Sequence, residues 1–120
     1  MTYAEMKNIL LMTDSPVDRL ELLMDFGSHM QPVPADAVCS EIAGCASRVE
    51  ICRLGTHFYG RADSALVRGI VAILIAMVDG KSADEIRKMN LGDEFAALNI
   101  TLGAGRINGL NSMISFLQNL

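Results

Sequence analysis

Of the three cysteines in this sequence, Cys45 stands where a sulfur could do chemistry. In Ile42-Ala43-Gly44-Cys45-Ala46-Ser47 it follows a glycine and sits among small residues, at a connection between two apolar segments, so few atoms obstruct its sulfur. A thiol that exchanges sulfur must spend time as thiolate, and free cysteine, with a pKa of about 8.5, is only slightly ionised at neutral pH. A cation or a hydrogen-bond donor must therefore help. Arg48, the Ser47 hydroxyl and the backbone amides after Gly44 are the nearest in sequence. The plain alternative is a small residue that fills a turn, as many free cysteines do.

Cys39 and Cys52 lie inside apolar segments and read as packing residues. Three is an odd number in a chain of 120 residues, long enough to fold without staples, so the cysteines are expected as free thiols rather than as a disulfide framework. A metal or cluster site built from Cys39, Cys45 and Cys52, with His57 or a carboxylate, stays open as the rival chemistry. Its signal is weak, because the cysteines are spaced by six and seven residues instead of the close C-x-x-C pairs of zinc sites. No nucleophile elbow, phosphate-binding loop or H-E-x-x-H pair is present. Gly103 and Gly105 read as a pliable helix entry rather than an anion site.

The elements that position these residues are legible in outline. Residues 2–12 read as a short helix. Ser15-Pro16 with Asp18 starts a second one, to about residue 29, and Pro32 and Pro34 break it. Short apolar segments at 38–42, 49–54 and 57–59, punctuated by Gly44, Gly55 and Gly60, read as antiparallel strands, with a tight hairpin at Gly55-Thr56. Asp63 or Ser64 caps a buried helix that ends at Val78 before Asp79-Gly80. A capping box at Ser82 and Glu85 opens a short helix to Met89, another short turn holds Phe95 and Leu98, and an amphipathic helix from Ile107 closes the chain. The sum is a single α+β domain over residues 1–120: a small antiparallel sheet of about three strands with helices packed on one face.

Bulk properties exclude other classes. The formal charge of −4 and the scattered Lys and Arg residues give no basic field for nucleic acid. The longest apolar run, Ile70 to Val78, is too short to cross a bilayer, and the acidic residues Glu5 and Asp14 replace the basic region of a secretory leader. A cytoplasmic location is the expectation.

Three ordered stretches carry a resemblance. Gly44-Cys45-Ala46-Ser47-Arg48-Val49 resembles the G-C-x-S-x-V signature around the reactive cysteine of SufE proteins. Gly60-Arg61-Ala62-Asp63-Ser64-Ala65-Leu66-Val67-Arg68-Gly69-Ile70 is similar to the segment of that family that opens its long central helix, and Arg106-Ile107-Asn108-Gly109-Leu110 to the R-x-x-G-L motif at its last helix. The similarity runs from Asp14 onward. It implies the α+β fold shared with U-type iron–sulfur scaffold proteins, with the reactive cysteine on an exposed loop. It also implies the function: a carrier, itself without a bound cofactor or metal, that takes sulfur from a pyridoxal-phosphate cysteine desulfurase of the SufS type onto Cys45 as a persulfide. The carrier thereby stimulates the desulfurase and passes sulfur to a downstream iron–sulfur scaffold. Arg106 matches the arginine of the family, implied to dock the partner or stabilise negative charge. Asp63 matches its S-D-A aspartate and is read first as a helix cap, then as a docking residue, with Ser47 as a further charge-stabilising group. The sequence departs from the pattern at Glu50, in place of an aromatic, at Ala46, in place of a glutamine, and at Gly103-Ala104-Gly105.

Overall fold

The computed structural model describes residues 1–120. Six helices and one sheet follow in the order α1 (Tyr3–Leu11), α2 (Pro16–Ser28), β1 (Val38–Glu41), β2 (Val49–Leu54), β3 (His57–Ala62), α3 (Ala65–Val78), α4 (Ala83–Arg87), α5 (Leu91–Ala96) and α6 (Ala104–Leu117). Each helix start is set by a short polar side chain where the sequence supplies one. Thr2 and Glu5 form a capping box on α1, Ser82 and Glu85 another on α4, and Ser15, Ser64 and Asn90 accept amide hydrogens of α2, α3 and α5. The cap of α3 is thus Ser64 and not Asp63, because only the Ser64 hydroxyl reaches the Val67 N–H, at 3.4 Å. Gly103 starts α6 with no side-chain cap, and that helix begins three residues earlier than the Ile107 periodicity indicates.

The sheet is antiparallel in the order β1-β2-β3. Its hairpin turns at Gly55, which takes the left-handed φ of +63° that such a turn requires. β3 runs on to Ala62, so Gly60 lies inside the strand and does not end it. A side chain at 60 would collide with Val71 and Ile75 of α3, which pack against the strand there. Helix α3 is the centre of the core: Ile70, Val71, Ile73, Leu74, Met77 and Val78 are all buried. It rests on the sheet face bearing Val49, Ile51 and Phe58, and α2 crosses its other side. The crossing is close because glycines meet there. A Cβ at Gly27 would stand 2.6 Å from the Gly69 amide nitrogen, and one at Gly69 would run into the Leu23 carbonyl. The opposite sheet face carries no helix, as alternation along the strands leaves it Glu41, Glu50, Tyr59 and Arg61.

Cys39 and Cys52 belong to that open face, and they are not the free thiols expected from the sequence. They stand opposite one another in the β1–β2 register and are joined as a disulfide, with Cα atoms 4.0 Å apart. Nor do they pack alike: Cys39 is exposed, whereas Cys52 is fully buried. Directly opposed residues of an antiparallel pair project to the same side, which brings the two sulfurs together.

Candidate functional site

Cys45 is the one free cysteine, half-buried in the connection between β1 and β2. The Ile42 N–H donates to the Val49 carbonyl at 2.9 Å and closes this connection at its base. Gly44 turns the chain with a φ of +85°, a conformation that side chains resist, and it abuts α6: a Cβ there would lie 2.6 Å from Ser112 Oγ. One residue on, the Cys45 Sγ points at α6, 3.7 Å from the Gly109 carbonyl oxygen. A Cβ at Gly109 would sit 3.3 Å from that sulfur, so glycine at 109 makes the seat of the thiol.

The sulfur opens on a cavity of about 390 Å³ between the loop, the start of α3 and the start of α6. Ser47, Ser64, Val67, Arg106 and Met113 share its wall with Cys45. Arg106 is exposed and its side chain makes no hydrogen bond or ion pair within the chain, so its charge is free to meet an anion. Ser47 Oγ is buried and bonded to nothing. The expectation that Ser47 donates to the sulfur is not met in this state, and the hydroxyl remains an unused donor in the same wall.

Two neighbours in sequence are turned elsewhere. The Arg48 guanidinium faces Glu41 and Glu50 on the open sheet side, at 3.9 and 3.7 Å, so it does not serve Cys45. Asp63 is exposed and does not line the cavity, and its N–H donates to the Arg48 carbonyl at 3.3 Å. With no cation to favour the thiolate, burial pushes the Cys45 thiol above its ordinary pKa. The resting residue is a neutral thiol, a weak nucleophile until something changes around it.

The rival metal site also fails to assemble from the three cysteines. The ligand atoms that converge are those of Cys39, Glu50 and Cys52, with Cys45 not among them, and two of these are already bonded as a disulfide. His57 is at the far end of β3, its Nδ1 3.3 Å from Asp79 Oδ1. Sequence reasoning gave no role to Gly109 or Ser112. The glycine of the Arg106-Ile107-Asn108-Gly109-Leu110 stretch was the available signal, since an unforced helix interior disfavours glycine.

The family model described as "SufE: Fe-S metabolism associated domain" matches residues 4–120. Among curated proteins, the chain is similar to an uncharacterized SufE-like protein of Rhizobium meliloti, 34% identical over 109 residues that cover 81% of this chain and 78% of that one. It is similar also to the sulfur acceptor protein CsdE of Escherichia coli, 34% identical over 106 residues that cover 80% of this chain and 71% of that one. In fold it resembles the solution structure of a hypothetical protein from Thermus thermophilus, with a TM-score of 0.72 over 99% of this chain and 94% of the other at 15% identity. With its family match spanning nearly every residue, its ordered α+β fold and its single free cysteine in the matching loop, this chain belongs to the SufE family.

Proposed function

We propose that this protein is a sulfur acceptor and carrier for a cysteine desulfurase, with Cys45 as the acceptor. The observation that carries the reading is the placement of Cys45: the one thiol not in a disulfide, on a connecting loop, facing a cavity shared with the unpaired cation Arg106. Membership of the SufE family and similarity to a named sulfur acceptor support it.

The chemistry follows thiol–disulfide exchange. The Cys45 thiolate attacks the terminal sulfur of a persulfide on the desulfurase's own cysteine. The S–S bond of the donor breaks, its electron pair stays on the donor cysteine as a thiolate, and Cys45 leaves as Cys45–S–SH, which ionises to Cys45–S–S⁻ by giving its proton to the donor thiolate. The transferred sulfur carries a negative charge, and the Arg106 guanidinium and the idle Ser47 hydroxyl are the groups of the wall able to stabilise it. Because burial keeps Cys45 protonated in the resting protein, the desulfurase must draw the sulfur out of its seat or bring its own positive field before attack. A SufS-type desulfurase as donor and an iron–sulfur scaffold as recipient complete the scheme. Pyridoxal phosphate belongs to the donor, and this chain supplies only the thiol and its surroundings. The reading of the three cysteines as cluster ligands is the weaker one, since Cys45 has no ligand partner beside it.

The test is intact mass and peptide mapping after mixing the protein with a SufS-type desulfurase and cysteine in the absence of reductant. Each accepted sulfur adds about 32 Da, and the gain is expected on the Cys45 peptide. A Cys45→Ser chain should gain none and should no longer accelerate the desulfurase. Undiminished acceleration by that variant would remove Cys45 from the mechanism.

A further inference from the structure

Away from the Cys45 cavity, the open face of the sheet holds a second piece of sulfur chemistry that sulfur transfer does not use. The Cys39–Cys52 disulfide is asymmetric. Cys39, on the edge strand β1, is exposed, and Cys52, on the central strand, has no exposed surface. Arg61 Nη1 lies 3.9 Å from Cys39 Sγ and 3.6 Å from Glu50 Oε2, so a guanidinium stands over the accessible sulfur. The buried cluster built from α1, α2, α3, the other sheet face and the C-terminal helices includes neither cysteine. Opening it would leave that cluster intact. What it does close is a ring from residue 39 to residue 52 that contains Cys45.

We propose that Cys39 and Cys52 form a redox-active dithiol–disulfide site, attacked at Cys39 by a small or protein dithiol and independent of the thiol at 45. One thiolate of the dithiol bonds to Cys39 Sγ. The Cys39–Cys52 bond breaks, its electron pair goes to Cys52 Sγ, and that sulfur takes up a proton. The second thiolate of the dithiol then attacks its partner sulfur in the mixed disulfide, which releases Cys39 as a thiolate beside Arg61, and Cys39 takes up the second proton. The balance is two electrons and two protons: the site is reduced to two thiols and the dithiol becomes a disulfide. Attack is confined to Cys39 because Cys52 has no exposed surface. The consequence is mechanical as well as chemical, since β1 is a four-residue edge strand whose other side chains are largely exposed. Once reduced, it loses its covalent tie to β2, immediately before the Cys45 loop.

The test uses the full chain purified without reductant, in native buffer, with dithiothreitol as the dithiol and iodoacetamide quenching at intervals before peptide mapping. At the start only the Cys45 peptide is expected to be alkylated. Cys39 should become alkylated within minutes, Cys52 should become alkylated once the quenched sample is denatured, and oxidised dithiothreitol should restore their bond in the folded protein. With oxidised glutathione, a Cys52→Ser chain should collect a mixed disulfide at Cys39 about tenfold faster or more than a Cys39→Ser chain does at Cys52, as differing access requires. A disulfide that opens only in denaturant, a reduced pair that oxidised dithiothreitol leaves open in the folded protein, or equal rates at the two sulfurs would each overturn the proposal.

Discussion

The Cys45 sulfur rests 3.7 Å from the backbone carbonyl of Gly109, on a helix surface that has no side chain at that point. A methyl group at 109 would stand 3.3 Å from the sulfur and would press it off the carbonyl toward solvent. Gly109→Ala is therefore expected to speed the alkylation of Cys45 by iodoacetamide. The gain in helix propensity, about 1 kcal/mol, should offset most of the packing cost, so thermal stability changes little. Slower alkylation would mean that the sulfur had been forced inward instead.

Cys45 should titrate above free cysteine, because burial penalises its thiolate and no cation compensates. The rate of its alkylation against pH should accordingly have its midpoint above about 8.5. The sign for stability follows: the folded chain holds this proton more tightly than the unfolded one, so stability is fully present below the unfolded pKa and falls as pH rises through the folded one. Bound desulfurase should move the alkylation midpoint downward.

The Arg106 side chain is exposed and makes no hydrogen bond or ion pair within the chain. Arg106→Ala should leave the melting temperature nearly unchanged, with a stability difference within about 0.5 kcal/mol, while weakening stimulation of the desulfurase. Titration of the stimulation against carrier concentration separates weaker docking from slower transfer. A large loss of melting temperature would make this arginine structural.

Glu94 joins α5 to the first helix, accepting from Lys7 Nζ at 2.8 Å and from the Tyr3 hydroxyl at 2.6 Å. The hydrogen bond from Lys7, then that from Tyr3, hold its carboxyl below the ordinary glutamate range, so its contribution is present above the unfolded pKa and lost as pH falls through the folded one. The pair with Lys7 is one-third exposed, which limits the effect of Glu94→Gln to about 1 kcal/mol at neutral pH. Denaturation of the wild type and the variant should converge at acidic pH, and a constant difference would show that shape rather than charge is at work.

The crossing of α2 and α3 should be the most sensitive point of the fold. Gly69→Ala drives a methyl into the Leu23 carbonyl, and the backbone of α2 must retreat. A loss of about 3 kcal/mol or more is expected in chemical denaturation, in contrast to the near-neutral alanine at 109.

Elements with chemical punctuation were readable from sequence: Ser15-Pro16, Ser82 with Glu85, and Gly55 each mark a boundary through a local interaction. The Cys45 loop was readable for the same reason, a glycine and small residues around one thiol. The relations that escaped are those fixed by register and by the meeting of distant segments. Nothing at residues 39 and 52 announces that they stand opposite each other, because their pairing depends on the length of the connection that Gly44 turns. Arg48 looked close to Cys45 along the chain, yet its guanidinium turns to Glu41 and Glu50. Asp63 and Ser64 are equivalent caps on paper, and only the geometry of the first turn chooses the serine. The sulfur's seat at Gly109 is 64 residues from Cys45, beyond the reach of any local pattern.

The start of α6 has a consequence for partnership. Its first turn has no side-chain cap, contains Gly105, and is exposed through Asn108, so Arg106 rides on the most loosely held part of that helix. On the proposed function, the protein must fit one surface when it is loaded and a different one when it unloads. An arginine on a turn that frays easily can present its charge at more than one angle, at the cost of ordering that turn on each encounter. Stiffening the turn with Gly105→Ala would trade that tolerance for a single fit, favouring one partner over the other.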